Sequence, residues 1–454
     1  MCARSMMRHI LALLATITLP STVLHAAQPV YYSYFDGTAG AFGSIQADLE
    51  SRTLKDAKVL FRSEPLVRIE RSHFTANGER AVLVNEDTNM PVIAVLDMTK
   101  DPVPEPVQIR LPDRPMATAV YGDLVLAAGN ESTIHLLDAR EGKLLQTLDM
   151  KSGMEPPAYR VTQFLFSKDG TRALAAIRQE HPGKNEGHRL LLLEIPTLKL
   201  LASMPFERNH SELHFDASSK DNGPGPNLLL AEEQSNTLIV GLLNYGAIAL
   251  ADLNAAFEGR FENLTIHSTS PNGEWGVSFP NRGWTFAIGG KSYAFIGNSS
   301  VEGGSLIVDL AERRILQHIA TGPREITNVW VQPGRNRLVG IHSGLLFERA
   351  QDGVADRHVE SQEVFTVDYS GLAEGMPAVV KRALFPRFIY QLCPADPANE
   401  NFVLLSVRRP SDSRLLQCLY EIDTQKFLYE ERSLGVLRNF LLRPGSQGPA
   451  VWKP

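Results

Sequence analysis

Cysteine is scarce in this chain, with three among 454 residues. A small scaffold stapled by several disulfides is therefore excluded. Long apolar runs are also missing. Beyond the first 26 residues no stretch approaches the ~20 continuous apolar residues of a membrane-spanning helix. There is no run of Lys or Arg, and 45 basic residues face 51 acidic ones, a net charge of -6. Nucleic-acid recognition needs a basic face, so that class of partner is excluded. Helical periodicity is lacking, as are the G-x-S-x-G elbow of serine hydrolases and the phosphate-cradling G-x-x-x-x-G-K-[ST] loop.

The chain does contain ample material for a core, with 43% hydrophobic and 21% charged residues, as in ordinary folded proteins. Its first 26 residues read as a secretory signal. Arg4 and Arg8 precede the apolar run Ile10–Leu19, Pro20 ends that run, and small residues around Ala26 suit cleavage. The expected product is an exported protein, periplasmic or secreted, with residues 27–454 as one domain and no membrane span. Removing the two signal arginines shifts the net charge to -8.

Internal repetition is the strongest signal. A short strand ending in an acidic residue, then a polar turn and a further strand, recurs eight times. Clear copies are IQADLESRTLKDAKVLF from Ile45, IHLLDAREGKLLQTL from Ile134 and LIVDLAERRILQHI from Leu306. Every copy after the first follows an earlier strand pair, such as VTQFLFSKDGTRALAA from Val161. The turn dipeptides Asn77-Gly78, Asp169-Gly170 and Asn272-Gly273 supply the positive φ of a tight reversal. Asp169 thereby reads as a turn residue.

Four short antiparallel strands, repeated radially, describe the blades of an all-β propeller. Eight blades are counted, with seven as the alternative if one irregular copy is an insertion. The first copy begins directly with Val30–Asp36, and the surplus strand Leu437–Gly445 at the other end would complete its blade and close the ring. Tyr31, Tyr32 and Tyr34 are then expected to pack in that closing blade.

Cys393 and Cys418 remain after signal removal, and export makes a disulfide between them a candidate. They fall on strands two apart in one blade, ~10 Å distant, so the bond requires the strand ends to curl together.

Two clusters carry the polar chemistry. In NHSELHFD, His210, Glu212, His214 and Asp216 alternate. A continued strand would place these metal-ligand types on one face. His210 and His214 would lie ~13 Å apart, and the following SSKDNGPGP suits a solvated loop. In NRGWTFAIGGKSYAF, Arg282, Trp284, Lys291 and Tyr293 have the composition of an interface loop that binds a ligand or partner. A Trp buried at a seam between blades is the competing reading. HPGKNEGH, with His181 and His188, reads as an exposed turn.

The phrases VDLAERRILQHIATG and LLDAREGKLLQTLDM resemble the repeat of YVTN-type and WD40-like propellers. They are also similar to blades of the quinoprotein amine dehydrogenase heavy-chain-like superfamily. The resemblance covers nearly the whole chain after the signal, but the Tyr-Val-Thr-Asn tetrapeptide is absent. In amine dehydrogenases the propeller subunit is a scaffold for a smaller subunit that carries the quinone. The resemblance therefore implies a binding or scaffold module for a protein partner, not catalytic on its own and with no cofactor expected. The alternative is a periplasmic lactonase- or dehydrogenase-like propeller enzyme, with a small-molecule site at the channel mouth.

Overall fold

In the computed structural model the strands assemble into eight sheets, each antiparallel, arranged around one axis. The structure describes residues 29–443 apart from 36–37, 66–67, 86–90, 130–131, 151–158, 180–187, 207–224, 244–245, 262–263, 271–278, 300–303, 351–352, 397, 412–414 and 433–435. The expected signal segment and His181, His210, Glu212, His214, Asp216, Asn272 and Gly273 lie outside the described residues.

Blade 1 closes the ring. Its innermost strand is Val436–Leu442, which pairs antiparallel with Val30–Phe35, and Ala39–Asp48 and Thr53–Pro65 complete it outwards. The innermost strands of blades 2 to 8 are Ile69–Phe74, Pro115–Tyr121, Tyr159–Phe166, Gly225–Glu232, Phe279–Ile288, Arg324–Gln332 and Phe388–Pro394. Each touches the innermost strands on both sides, in an unbroken circuit.

Radial stacking explains the apolar runs. A blade's middle strands are covered on both faces by neighbouring blades, so they read as continuous hydrophobic stretches without alternation. Ala81–Asn85 and Leu190–Leu193 are buried at every position. The outermost strands meet water, and Lys143–Leu145 is exposed throughout. Eight apolar clusters fill the seams; Tyr32 and Tyr34 pack against Leu404 and Leu419 of blade 8, while Tyr31 packs against Ile69 and Leu83 of blade 2.

The repeated acid is a turn-builder. Asp48, Asp138, Asp252 and Asp309, each ending a third strand, accept hydrogen bonds from backbone N–H groups in the turn that follows. Glu194 and Glu421 do the same work through Thr197 and Thr424. Asp169 accepts from Ser167 Oγ and the Thr171 N–H, as Asn77 accepts from Thr75 Oγ1 and the Glu79 N–H. Gly78 and Gly170 follow at φ 68 and 69.

Each innermost strand carries a β-bulge at the equivalent position. Three of the residues just before it are prolines (Pro115, Pro226 and Pro280), which a central ladder would not accept. The residue just after it often reaches across the seam. Gln163 bonds both the N–H and the carbonyl of Leu229, at 2.8 and 2.9 Å, and the Asn328 amide donates to the Leu392 carbonyl at 2.7 Å.

The cysteines stay apart. Cys393 lies opposite Leu404 and Cys418 opposite Leu405 on the strand between them. Successive residues of a strand point to opposite faces, so the thiols do too. Cys393 packs toward blade 1 and Cys418 toward blade 7. Both are free and buried, and burial pushes both thiols up. The candidate disulfide is thus corrected by strand alternation.

Candidate binding face

The ring has two unlike faces. On one, connections within blades are tight turns that include Thr75–Glu79 and Ser167–Thr171. The other receives the links from each outermost strand to the next blade, and from each second strand to the third. Here the connections differ widely in length. Nineteen residues, 206–224, separate Pro205 from Gly225. Blade 7 gains a fifth strand on this face, because its second strand, Arg337–Ala350, runs past the sheet and folds back as Gly353–His358.

Beside that hairpin, blades 7 and 8 carry a lattice of arginines and carboxylates. Glu360 accepts from both the Tyr390 hydroxyl and Arg408, while Arg408 Nε meets Tyr390 Oη at 3.0 Å and its guanidinium covers Phe388 at 4.7 Å. Glu430 is shared between Arg387 and Arg409, and Arg387 lies 4.0 Å over the Phe427 ring. Arg382 grips Glu363 through two donors, one at 2.7 Å. Arg357 and Glu348 pair across the hairpin at 2.7 Å. Arg324 donates to the Val359 carbonyl. Six arginines thus stand against four glutamates on a chain of net negative charge. Arg357 and Arg409 are more than half exposed.

A buried polar group of another kind lies in blade 3. His135, fully enclosed, bonds Asp113 at 2.7 Å through Nε2 and Thr147 at 3.0 Å through Nδ1. Thr133 also donates to Asp113, at 2.7 Å. The group bolts the entry of an innermost strand to the two outer strands of its own blade.

The structure separates the residues of NRGWTFAIGGKSYAF. They form a strand pair, Phe279–Ile288 with Lys291–Ser299, instead of a loop. Trp284 is buried in the seam between blades 6 and 7 with Phe295, Ile326 and Val329; Tyr293 is buried in the same cluster. Arg282 and Lys291 are both exposed but sit toward opposite ends of the hairpin, ~20 Å apart along the strand. Four residues adjacent in sequence therefore divide into two seam residues and two cations on different faces. His188 is buried beside Gly225, since the chain has re-entered the blade there, which corrects the exposed-turn reading. Among the described residues no group of three His, Cys, Asp or Glu could hold a metal ion. Sequence reasoning missed the blade 7–8 lattice, whose members come from five separate stretches. The length of the segment from Arg337 to His358 was the one available signal.

No family model matches the chain, and no curated protein matches its sequence. Solved structures do resemble it. Dihydro-heme d1 dehydrogenase NirN, in complex with DHE, is 14% identical with a TM-score of 0.58, over 92% of this chain and 75% of that one. The C-terminal WD40 domain of Sif2 is 10% identical with a TM-score of 0.54, over 84% and 90%. Quinohemoprotein alcohol dehydrogenase ADHIIG from Pseudomonas putida is 11% identical with a TM-score of 0.51, over 81% and 67%. At these identities the likeness shows the fold alone. The chain is an eight-bladed β-propeller, similar in architecture to WD40 domains and quinoprotein dehydrogenases.

Proposed function

We propose that this chain is an exported binding module that docks a protein partner on the irregular face, over blades 7 and 8. A non-catalytic subunit of a periplasmic dehydrogenase-like complex is the particular role we favour. The arginine-rich lattice supports the reading most directly. Interfaces are enriched in Arg and Tyr, and a local positive excess on an acidic protein selects an acidic partner surface. The partner is expected to carry Asp and Glu opposite Arg357, Arg387, Arg408 and Arg409.

Co-purification from the native cell envelope tests this. Wild-type protein should retain a stoichiometric acidic partner that high salt releases. Arg409→Glu should lose it while remaining folded, because Arg409 is half-exposed and Glu430 keeps Arg387 as its counter-charge. Equal retention by Arg409→Glu, or a bound chromophore and turnover without any partner, would sink the reading.

A further inference from the structure

Blade 7 holds, beside its part of the lattice, a buried histidine that the lattice does not explain. His342 is 1% exposed, and neither ring nitrogen makes a hydrogen bond. The Thr321 carbonyl approaches without reaching good geometry. One face of the imidazole packs on Phe365, with centroids 4.9 Å apart. Leaving such a group unpaired costs ~1–3 kcal/mol, so a site that retains it invites an acceptor.

What surrounds the imidazole is cationic. Gly322 leads the chain into blade 7, and a β-carbon on it would stand 3.0 Å from Arg382 Nη2 and 3.6 Å from His342 Cε1. The guanidinium and the edge of the ring between its two nitrogens therefore both pack close against the backbone at Gly322, where φ is +124 and any larger residue would crowd them. Arg324 lies opposite Leu346, and Leu346 opposite Arg357, so both arginines flank one leucine on one face of the sheet. Burial and the like charges of Arg357 and Arg382 act against the Arg324 charge, and Glu363 favours it. Glu348 answers Arg357 farther out on the hairpin. Three guanidinium groups thus meet two carboxylates, and one N–H donor is buried beneath them.

We propose that this end of blade 7 binds a small oxyanion, a phosphate or carboxylate group, between Arg324, Arg357 and Arg382, with His342 as a neutral N–H donor at the floor. Guanidinium forks match two-oxygen edges of either group. A ring held uncharged donates one hydrogen bond without adding to the charge already there. Burial with Arg382 and Arg324 alongside keeps His342 uncharged, down at about 3. The site shares Arg357 with the proposed docking face, while His342, Arg324 and Arg382 are not among the partner-facing residues; anion titration and partner retention by Arg409→Glu therefore fail separately.

Isothermal titration of the full chain with inorganic phosphate and, separately, with succinate tests the site, with ionic strength held constant in chloride. Saturable binding of one molecule is expected in at least one arm, and the tighter arm identifies the class. His342→Phe keeps the packing on Phe365 and removes both nitrogens. It should weaken binding about tenfold, the loss of one hydrogen bond to a charged group. Arg324→Gln should weaken it at least as much. Arg357→Gln, at an exposed side chain, serves where either of those variants fails to fold. No saturable binding by wild type in either arm overturns the proposal. So does wild-type affinity in the folded variants, which would put the anion elsewhere.

Discussion

Tyr369 and His342 are polar side chains enclosed in blade 7 without hydrogen-bond partners, and each makes a residue-scale prediction. The Tyr369 hydroxyl is unpaired while its ring lies 4.3 Å from Phe286, and burial pushes the phenol well up. Tyr369→Phe removes only the unsatisfied oxygen, so equilibrium unfolding should show a gain of about 1 kcal/mol. A loss would mean that the hydroxyl is bonded in solution. His342 governs a pH dependence. The unfolded chain takes up this proton below about 6.5, whereas the folded protein resists until about 3. Its contribution to stability is therefore complete above about pH 6.5 and declines as pH falls through that window. Arg382, Arg324 and Glu363 are the charged groups around it. His73, held at about 4 by burial and Arg71, acts in the same direction. Turn carboxylates differ: Asp169, held at about 2 by Ser167 and Thr171, loses its contribution only below about pH 4. Urea unfolding between about pH 7 and pH 5 should show falling stability, with a shallower slope in His342→Phe; identical slopes would contradict the account.

The four-strand unit was legible in the sequence because its rules are local. An acid ends a strand and builds the next turn, a glycine takes positive φ, and an apolar run marks a strand covered on both faces. The blade count and the closing pair followed from those markers. The functional face was not legible, because its arginines and glutamates are brought together by radial stacking and not by spacing. The cluster around Trp284 misled for the opposite reason: adjacency in sequence suggested a loop, while strand alternation sends its members to a seam and to two distant ends. The cysteines failed on the same alternation. Asp113 tests an element-scale claim. Gly129 approaches so closely that a β-carbon would overlap the Asp113 carboxylate, so the glycine and the Asp113–His135 bond form one unit. Asp113→Ala should cost about 3 kcal/mol, as expected when a buried polar partner is stranded. Chemical denaturation measures this, and a change under about 0.5 kcal/mol, the range of ordinary surface substitutions, would show the bolt to be dispensable.

At the scale of the molecule, ring closure and the asymmetry of the faces carry the account. Val436–Leu442 pairs with Val30–Phe35 and touches the innermost strands of blades 2 and 8. Deleting residues 436–454 would leave blade 1 with an open inner edge and the ring unclosed, so the truncated chain should aggregate on expression. Recovery of a soluble, cooperatively unfolding truncation would refute closure by this strand. The faces differ in what they offer: one is made of tight turns, while the other holds the hairpin, the longest connection and the arginine lattice. Hydrogen–deuterium exchange of the chain with and without its co-purified partner tests the central claim most directly. Protection is expected at residues 353–363, 382–391 and 404–411 of blades 7 and 8. Protection confined to the tight-turn face, or to the exposed outer edges at Leu144, Leu145, Leu200 and Leu201, would contradict it.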